Sequence, residues 1–155
     1  MPQFGGGLKA EEQLMYSPIL SPFIALVLWT LVMCGWLYAT RIPALSKYKI
    51  VYDPRRPSEE FHSLLPPEVR WKADNYNNLM EQPTIFYAVV LALVFLKAGS
   101  GLNVDLAWGY VGLRIAHSLV HGLINRVMIR FALFATASLV LLVMTIRAAS
   151  IAFSA

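Results

Sequence analysis

The sequence predicts an all-α integral membrane protein, a single-domain bundle of four transmembrane helices. Of the 155 residues, 57% are hydrophobic and only 14% are charged, whereas a soluble domain of this size carries more charge on its surface. The apolar residues form four blocks, each close to the roughly 20 residues that a helix needs to cross about 30 Å of hydrocarbon. Helices are predicted over about 18–40, 68–97, 104–124 and 127–152.

The first helix is predicted to begin near Pro18, because a proline after a capping residue can start a helix. The leader before it holds Glu11 and Glu12 against Lys9, unlike the positively charged start of a cleavable signal peptide. We therefore expect this helix to be retained. Cys34, the one cysteine, lies within it, which excludes a disulfide framework inside the chain.

The long connection between the first two helices is predicted over 41–67 and contains five prolines and a charged middle. A connection of this length is uncommon unless it has a function. It either covers the cytoplasmic mouth of a site or is simply a solvated loop. The second helix is predicted to begin at Pro66, Pro67 and Glu68, since prolines and an acid favour the first turn of a helix.

Basic residues divide unequally between the two predicted sides of the membrane. One side carries nine: Arg41, Lys47, Lys49, Arg55, Arg56, Arg70, Lys72, Arg126 and Arg130. The other side carries Lys9, Lys97 and Arg147, of which Arg147 is predicted to extend to the outer interface. This asymmetry follows the positive-inside rule and predicts that both termini lie outside the cytoplasm. The formal net charge of +4 is thereby explained without nucleic acid, whose binding would need a soluble basic face with aromatic residues.

Two charged residues lie where a membrane helix rarely tolerates them. Glu81 is one turn inside the second apolar block, and Arg114 lies within the third. An intramembrane charge is costly unless it is paired, so such residues are candidates for function. Both lie at similar depth below the predicted cytoplasmic surface, which predicts an ion pair between them. The alternative is a purely structural pair that needs no ligand.

The helical period places further polar residues on the same faces. The second helix presents a stripe of three: Asp74, Asn78 and Glu81. The third helix presents a stripe of four: Arg114, His117, His121 and Asn125. Residues three and four apart share one helix face, so the two stripes are expected to face each other. His117 and His121 also have the spacing of metal ligands. No second acid lies near them on that helix, so no metal site is predicted, and a metal-dependent hydrolase is only a third option.

These motifs resemble those of the MAPEG superfamily, the membrane-associated proteins in eicosanoid and glutathione metabolism. The family pattern is an Asn-x-x-Glu followed by proline, then Arg-x-x-His/Tyr-x-x-x-His/Tyr on the third helix, then an arginine that opens the fourth. The matching residues in this chain are Asn78, Glu81, Pro83, Arg114, His117, His121 and Arg130. The resemblance covers roughly 70–147, and the four-helix layout covers nearly the whole chain.

The resemblance implies a homotrimer that binds glutathione between neighbouring subunits near the cytoplasmic side. Arg130 is the implied catalytic residue, which stabilises the glutathione thiolate. Six residues are the implied glutathione contacts: Arg41, Asn78, Glu81, Arg114, His117 and His121. The second substrate is expected to be a lipophilic small molecule that arrives through the membrane lipids. The short chain and plain leader favour a bacterial inner membrane.

Two departures from the family pattern leave an alternative open. Glutathione-using members commonly place an arginine where this chain has Asp74 or Asn77, and both aromatic pocket positions are histidines here. The first hypothesis is a glutathione-dependent transferase or peroxidase that acts on lipophilic substrates. The alternative is a non-enzymatic scaffold of the same fold that binds lipids or a partner protein.

Overall fold

The computed structural model describes residues 17–51, 53–55 and 57–154, so the leader charges at 9–12 lie outside the described residues. Throughout these ranges the regular structure is helical. The helices are α1 Leu20–Lys47, α2 Ser58–Ser63, α3 Pro67–Phe95, α4 Leu102–Leu123 and α5 Val127–Phe153. Pro66 and Pro67 open α3, where the missing proline N–H has no intrahelical partner to lose.

Three of the described helices are long and apolar enough to cross a membrane: α1, α3 and α5. They confirm the prediction of an all-helical membrane protein. The 22 residues of α4 could also span the hydrocarbon, but its polar stripe lowers its hydropathy. That α4 is a fourth transmembrane helix therefore stays a prediction.

The first helix is longer than the sequence indicates, because α1 continues to Lys47 and does not end near residue 40. Pro43 lies inside it and removes one backbone hydrogen bond, to the carbonyl of residue 39. The next residue, Ala44, is buried, and the N–H of Tyr48 donates to its carbonyl oxygen at 2.9 Å. This packed turn allows α1 to continue past Pro43. The prediction of a loop over 41–67 is wrong for its first seven residues, which belong to α1. The rest of the connection contains the short helix α2.

The centre of the bundle is α4, which packs against α1, α3 and α5. The Phe86 ring of α3 stacks on the Tyr110 ring of α4, with centroids 4.6 Å apart. The absence of a side chain at Gly122 of α4 leaves room for the Trp36 ring of α1, because a Cβ atom at Gly122 would lie only 3.0 Å from the indole ring. Close packing of this kind fixes the rotation of the polar stripe on α4 relative to its neighbours.

The end of the bundle that carries the α3–α4 turn is fastened by polar contacts. The N–H of Ile19 donates to the Gly99 carbonyl at 3.2 Å. Asn103 donates from Nδ2 to the Ala98 carbonyl at 2.7 Å and accepts at Oδ1 from Arg147 Nε, also at 2.7 Å. Arg147 is partly exposed at this end of the bundle, and its extension to the outer interface stays a prediction. Buried Asn103 offers its guanidinium an acceptor, which ties α5 to the start of α4.

Candidate functional site

Asn78 is the residue of the α3 stripe that makes contact with α4. Nη2 of Arg114 donates to the Asn78 side-chain oxygen at 2.9 Å and to its backbone carbonyl at 2.7 Å. The two other members of the stripe, Asp74 and Glu81, are exposed. Asn78 therefore provides both acceptors that hold the Arg114 guanidinium.

The predicted ion pair between Glu81 and Arg114 is not formed within the subunit. In the described residues, no carboxylate oxygen lies within 4.0 Å of the Arg114 guanidinium. The reason is the rotation of α3: Leu79 faces the core, and Glu81 follows it by about 200° around the helix axis. Asn78 lies only about 100° from Leu79 and so reaches α4.

Arg114 itself is fully buried. Its guanidinium carbon lies 5.8 Å from the centre of the Phe134 ring, a cation–π geometry. Nε and Nη1 have no hydrogen-bond partner. A buried guanidinium held by one amide and one carbonyl is costly to desolvate, which is typical of a residue retained for function.

The two histidines of α4 lie side by side, with ring centroids 5.8 Å apart, and both are buried. Nδ1 of His117 lies 3.1 Å from the backbone carbonyl of Arg130. Because a carbonyl oxygen only accepts, Nδ1 of His117 must carry the hydrogen of this contact. The described residues contain no group of three His, Cys, Asp or Glu side chains that could share a metal ion.

Arg130 is positioned by the turn between α4 and α5. Asn125 adopts a positive φ of 52° in this turn, a conformation that asparagine tolerates better than most residues. The Asn125 N–H closes α4 on the Val120 carbonyl at 2.7 Å, and its side-chain oxygen accepts from Arg130 Nη1 at 2.5 Å. The sequence placed Asn125 on the polar stripe but did not identify it as the anchor of Arg130.

A cleft of about 270 Å³ opens on the side of the bundle between α3, α4 and α5. Its lining residues are Asn78, His117, Val127, Arg130, Phe131 and Phe134. Three of the predicted site residues therefore line one cleft, and Arg114 lies behind it, bonded to Asn78 and beside Phe134. The cleft combines a guanidinium and polar groups with an apolar wall, so it can hold an anionic group next to a lipophilic one.

The remaining predicted site residues lie elsewhere in the subunit. Arg41 stacks over the Phe61 ring at 5.3 Å, and its Nη2 lies 3.3 Å from Nε2 of His62. Glu81 is exposed outside the cleft, and His121 is buried behind His117. Arg41 thus fastens α2 to the end of α1, a role that the sequence did not indicate because it depends on where α2 folds back.

A second cavity, of about 490 Å³, is formed by the connection that contains α2. It is lined by residues that were not predicted to form a site: Val51, Asp53, Glu60, Phe61, Ser63 and Leu64.

Sequence reasoning also missed a polar junction deeper in the bundle. Gln82 donates from Nε2 to the Ser138 hydroxyl oxygen at 2.6 Å and accepts from the Tyr110 hydroxyl at 3.3 Å. This junction joins α3, α4 and α5 next to the cleft. Tyr110 lies four residues before Arg114, on the same face of α4, and this spacing was the available signal.

Comparison with known proteins gives one match. A family model described as "MAPEG family" matches residues 19–150. This span contains every predicted site residue and most of each long helix. No curated protein and no solved structure matches the chain.

Proposed function

The chain belongs to the MAPEG family, and on that premise we propose that it is a glutathione-dependent transferase or peroxidase that acts on lipophilic substrates. The observation that carries the proposal is the cleft in which Asn78, His117 and Arg130 meet from three different helices. Family membership gives the fold, and the cleft supports a site for thiol chemistry on this particular chain.

The charges of the cleft suit part of the glutathione molecule. Glutathione carries two carboxylates and one ammonium group, and a guanidinium binds a carboxylate or thiolate through strong, charge-assisted hydrogen bonds. Arg130 is the partly exposed cation of the cleft. Glu81 and Arg41 are at least partly accessible outside it, so we propose that they complete the site across the interface of a homotrimer, with Glu81 available to the ammonium group.

Arg130 is the proposed catalytic residue. A guanidinium beside the glutathione sulfur lowers the pKa of the thiol and stabilises the thiolate, the reactive form. In a transfer reaction the thiolate sulfur forms a bond to an electrophilic carbon, and the leaving group departs with its bonding electrons. In a peroxidase reaction the sulfur attacks the terminal oxygen of the hydroperoxide, the O–O bond breaks, and the alcohol leaves after taking up a proton. The sulfenic acid formed on the sulfur then condenses with a second glutathione to give the disulfide and water.

The apolar wall of the cleft provides the proposed entry for the lipophilic substrate. Val127 and Phe131 are exposed on the surface of the subunit, and both line the cleft beside Arg130. We propose that α4 is the fourth membrane span, so that this wall faces lipid or a neighbouring subunit in a bacterial inner membrane. Both termini then lie outside the cytoplasm, and the cleft lies near its cytoplasmic side.

The test compares two arginines of the same α4–α5 region. Arg130 lines the cleft, whereas Arg126 is exposed and does not line it. Calorimetry on detergent-purified protein should detect glutathione binding at millimolar concentration or below. Arg130→Ala should lower turnover much more than thermal stability, and Arg126→Ala should leave turnover nearly unchanged. A folded wild-type protein that binds no glutathione at millimolar concentration contradicts the proposal.

The alternative is a lipid-binding or partner-binding scaffold without thiol chemistry. Two observations favour it: Arg114 already has acceptors on Asn78 of its own subunit, and the exposed acid Asp74 lies one turn before Asn78 on the same helix face. On this alternative, Glu81→Gln impairs assembly and no thiol chemistry is lost. Conjugation of glutathione to a chlorinated aromatic acceptor by the wild-type protein would exclude it.

A further inference from the structure

We propose that Asn125 is a positioning residue for Arg130, and that its bond to Nη1 leaves Nη2 as the donor that meets the thiolate of a bound thiol. The inference rests on the proposed function, because the orientation of Arg130 affects the reaction only if Arg130 stabilises a thiolate. It goes beyond that function because Asn125 does not line the cleft and acts on the reaction only through another side chain.

The side chain of Arg130 has one hydrogen-bond partner in the part of the chain that the structure describes. Nη1 donates to the Asn125 side-chain oxygen at 2.5 Å. Nε is buried without a partner, whereas Nη2 is neither buried nor bonded. Because a guanidinium is planar and rigid, a bond at Nη1 restricts the orientation of the whole group. Nη2 is therefore the terminal nitrogen left for a ligand in the cleft that Arg130 lines.

The backbone of Arg130 is held separately from its side chain. Its carbonyl oxygen lies 3.1 Å from Nδ1 of His117, and its N–H donates to the Arg126 carbonyl at 3.0 Å. With the backbone fixed, the freedom that remains to Arg130 is in its side-chain torsions, and the Asn125 contact restricts these. A cation that is oriented before the ligand arrives stabilises developing charge more effectively than one that must reorganise.

The conformation of the turn does not by itself explain an asparagine at position 125. Three described residues other than glycine adopt a positive φ, each two positions after the end of a helix: Lys49 at 52°, Lys97 at 55° and Asn125 at 52°. The chain therefore forms this kind of helix end with lysine as well. Asn125 differs from both lysines in carrying a side-chain acceptor, and that acceptor is the atom bonded to Arg130.

The experiment compares Asn125→Gly with the control Lys97→Gly. Glycine adopts a positive φ readily, so both changes keep the backbone of the turn, and only the first removes an acceptor from Arg130. Lys97 is exposed at the opposite end of α4 from Asn125. Thermal unfolding of detergent-purified protein confirms that each variant is folded.

Two readouts separate an effect on the reaction from an effect on the fold. Steady-state kinetics with glutathione and a chlorinated aromatic acceptor give kcat and KM. The ultraviolet absorbance of bound glutathione gives the fraction present as thiolate, which needs no second substrate and decides the test even if this acceptor is not turned over.

Asn125→Gly should lower kcat roughly tenfold and lower the thiolate fraction, with the KM for glutathione nearly unchanged, because a misplaced guanidinium stabilises the thiolate less well. Lys97→Gly should leave all three values unchanged. In the Arg130→Ala background, Asn125→Gly should change the residual turnover less than about twofold, since its effect depends on Arg130.

Wild-type kcat and thiolate fraction in folded Asn125→Gly overturn the inference, and so does an equal further loss in the Arg130→Ala background. In both cases wild-type glutathione binding and turnover still support the proposed function. A wild type that binds no glutathione overturns both.

Discussion

Replacing Asn78 with alanine is expected to lower the free energy of unfolding by about 2 kcal/mol, because it removes an acceptor from a buried cation. Arg114 is fully buried and donates to the Asn78 side-chain oxygen at 2.9 Å. Hydrogen bonds to charged groups contribute about 1.5–3 kcal/mol, and a buried donor left without its acceptor costs a similar amount. The backbone carbonyl of residue 78 remains as an acceptor, which keeps the expected loss below that of a fully unpaired charge.

The assay is reversible unfolding in mixed micelles, with Asn77→Ala as the matched control. Asn77 is the same residue type one position earlier and is exposed, so its replacement should change the free energy of unfolding by less than about 0.5 kcal/mol. The double variant Asn78→Ala with Arg114→Met should recover much of the loss, since it removes the buried charge as well. Equal stability of the Asn77 and Asn78 variants would refute the reasoning.

Three further effects are expected. Asn103→Ala should cost about 2 kcal/mol, because Arg147 loses the acceptor at 2.7 Å; a loss below about 0.5 kcal/mol in the same unfolding assay would contradict this. Gln82→Met should cost about 1 kcal/mol, because it breaks hydrogen bonds to two other helices, and an unchanged unfolding midpoint would count against the junction. Burial, and then the charge of Arg41, lower the pKa of His62 below its ordinary value of 6.5. The unfolded chain therefore binds the proton more readily, and stability should fall as the pH drops below about 6.5. His62→Gln should weaken that dependence, and parallel pH profiles for variant and wild type would disprove it.

Much of the fold was predictable because it depends on local chemistry. The apolar blocks indicated the long helices, and Pro66 and Pro67 indicated where α3 begins. Polar residues at intervals of three and four predicted that the helix faces bearing Asn78 and Arg114 pack against each other, and the structure brings the two side chains into contact. The end of α1 was not predictable in the same way, because the packing of Ala44 carries the helix past Pro43.

The candidate site was also predictable only in part. The residue pattern named Asn78, His117 and Arg130, and these three line one cleft. It did not predict that Arg41 would contact His62, or that Asn125 would hold Arg130. Both contacts depend on how a connection folds back, and short-range patterns contain little information about that.

The sequence by itself determined which residues are costly in a membrane and which of them share a helix face. Only the tertiary structure decided which partner each one has. Arg114 bonds to Asn78 and not to Glu81, and Arg147 bonds to Asn103. The physical reason is that the helical period fixes angles within one helix, whereas the rotation of one helix against another is set by close packing, such as that of Gly122 against Trp36.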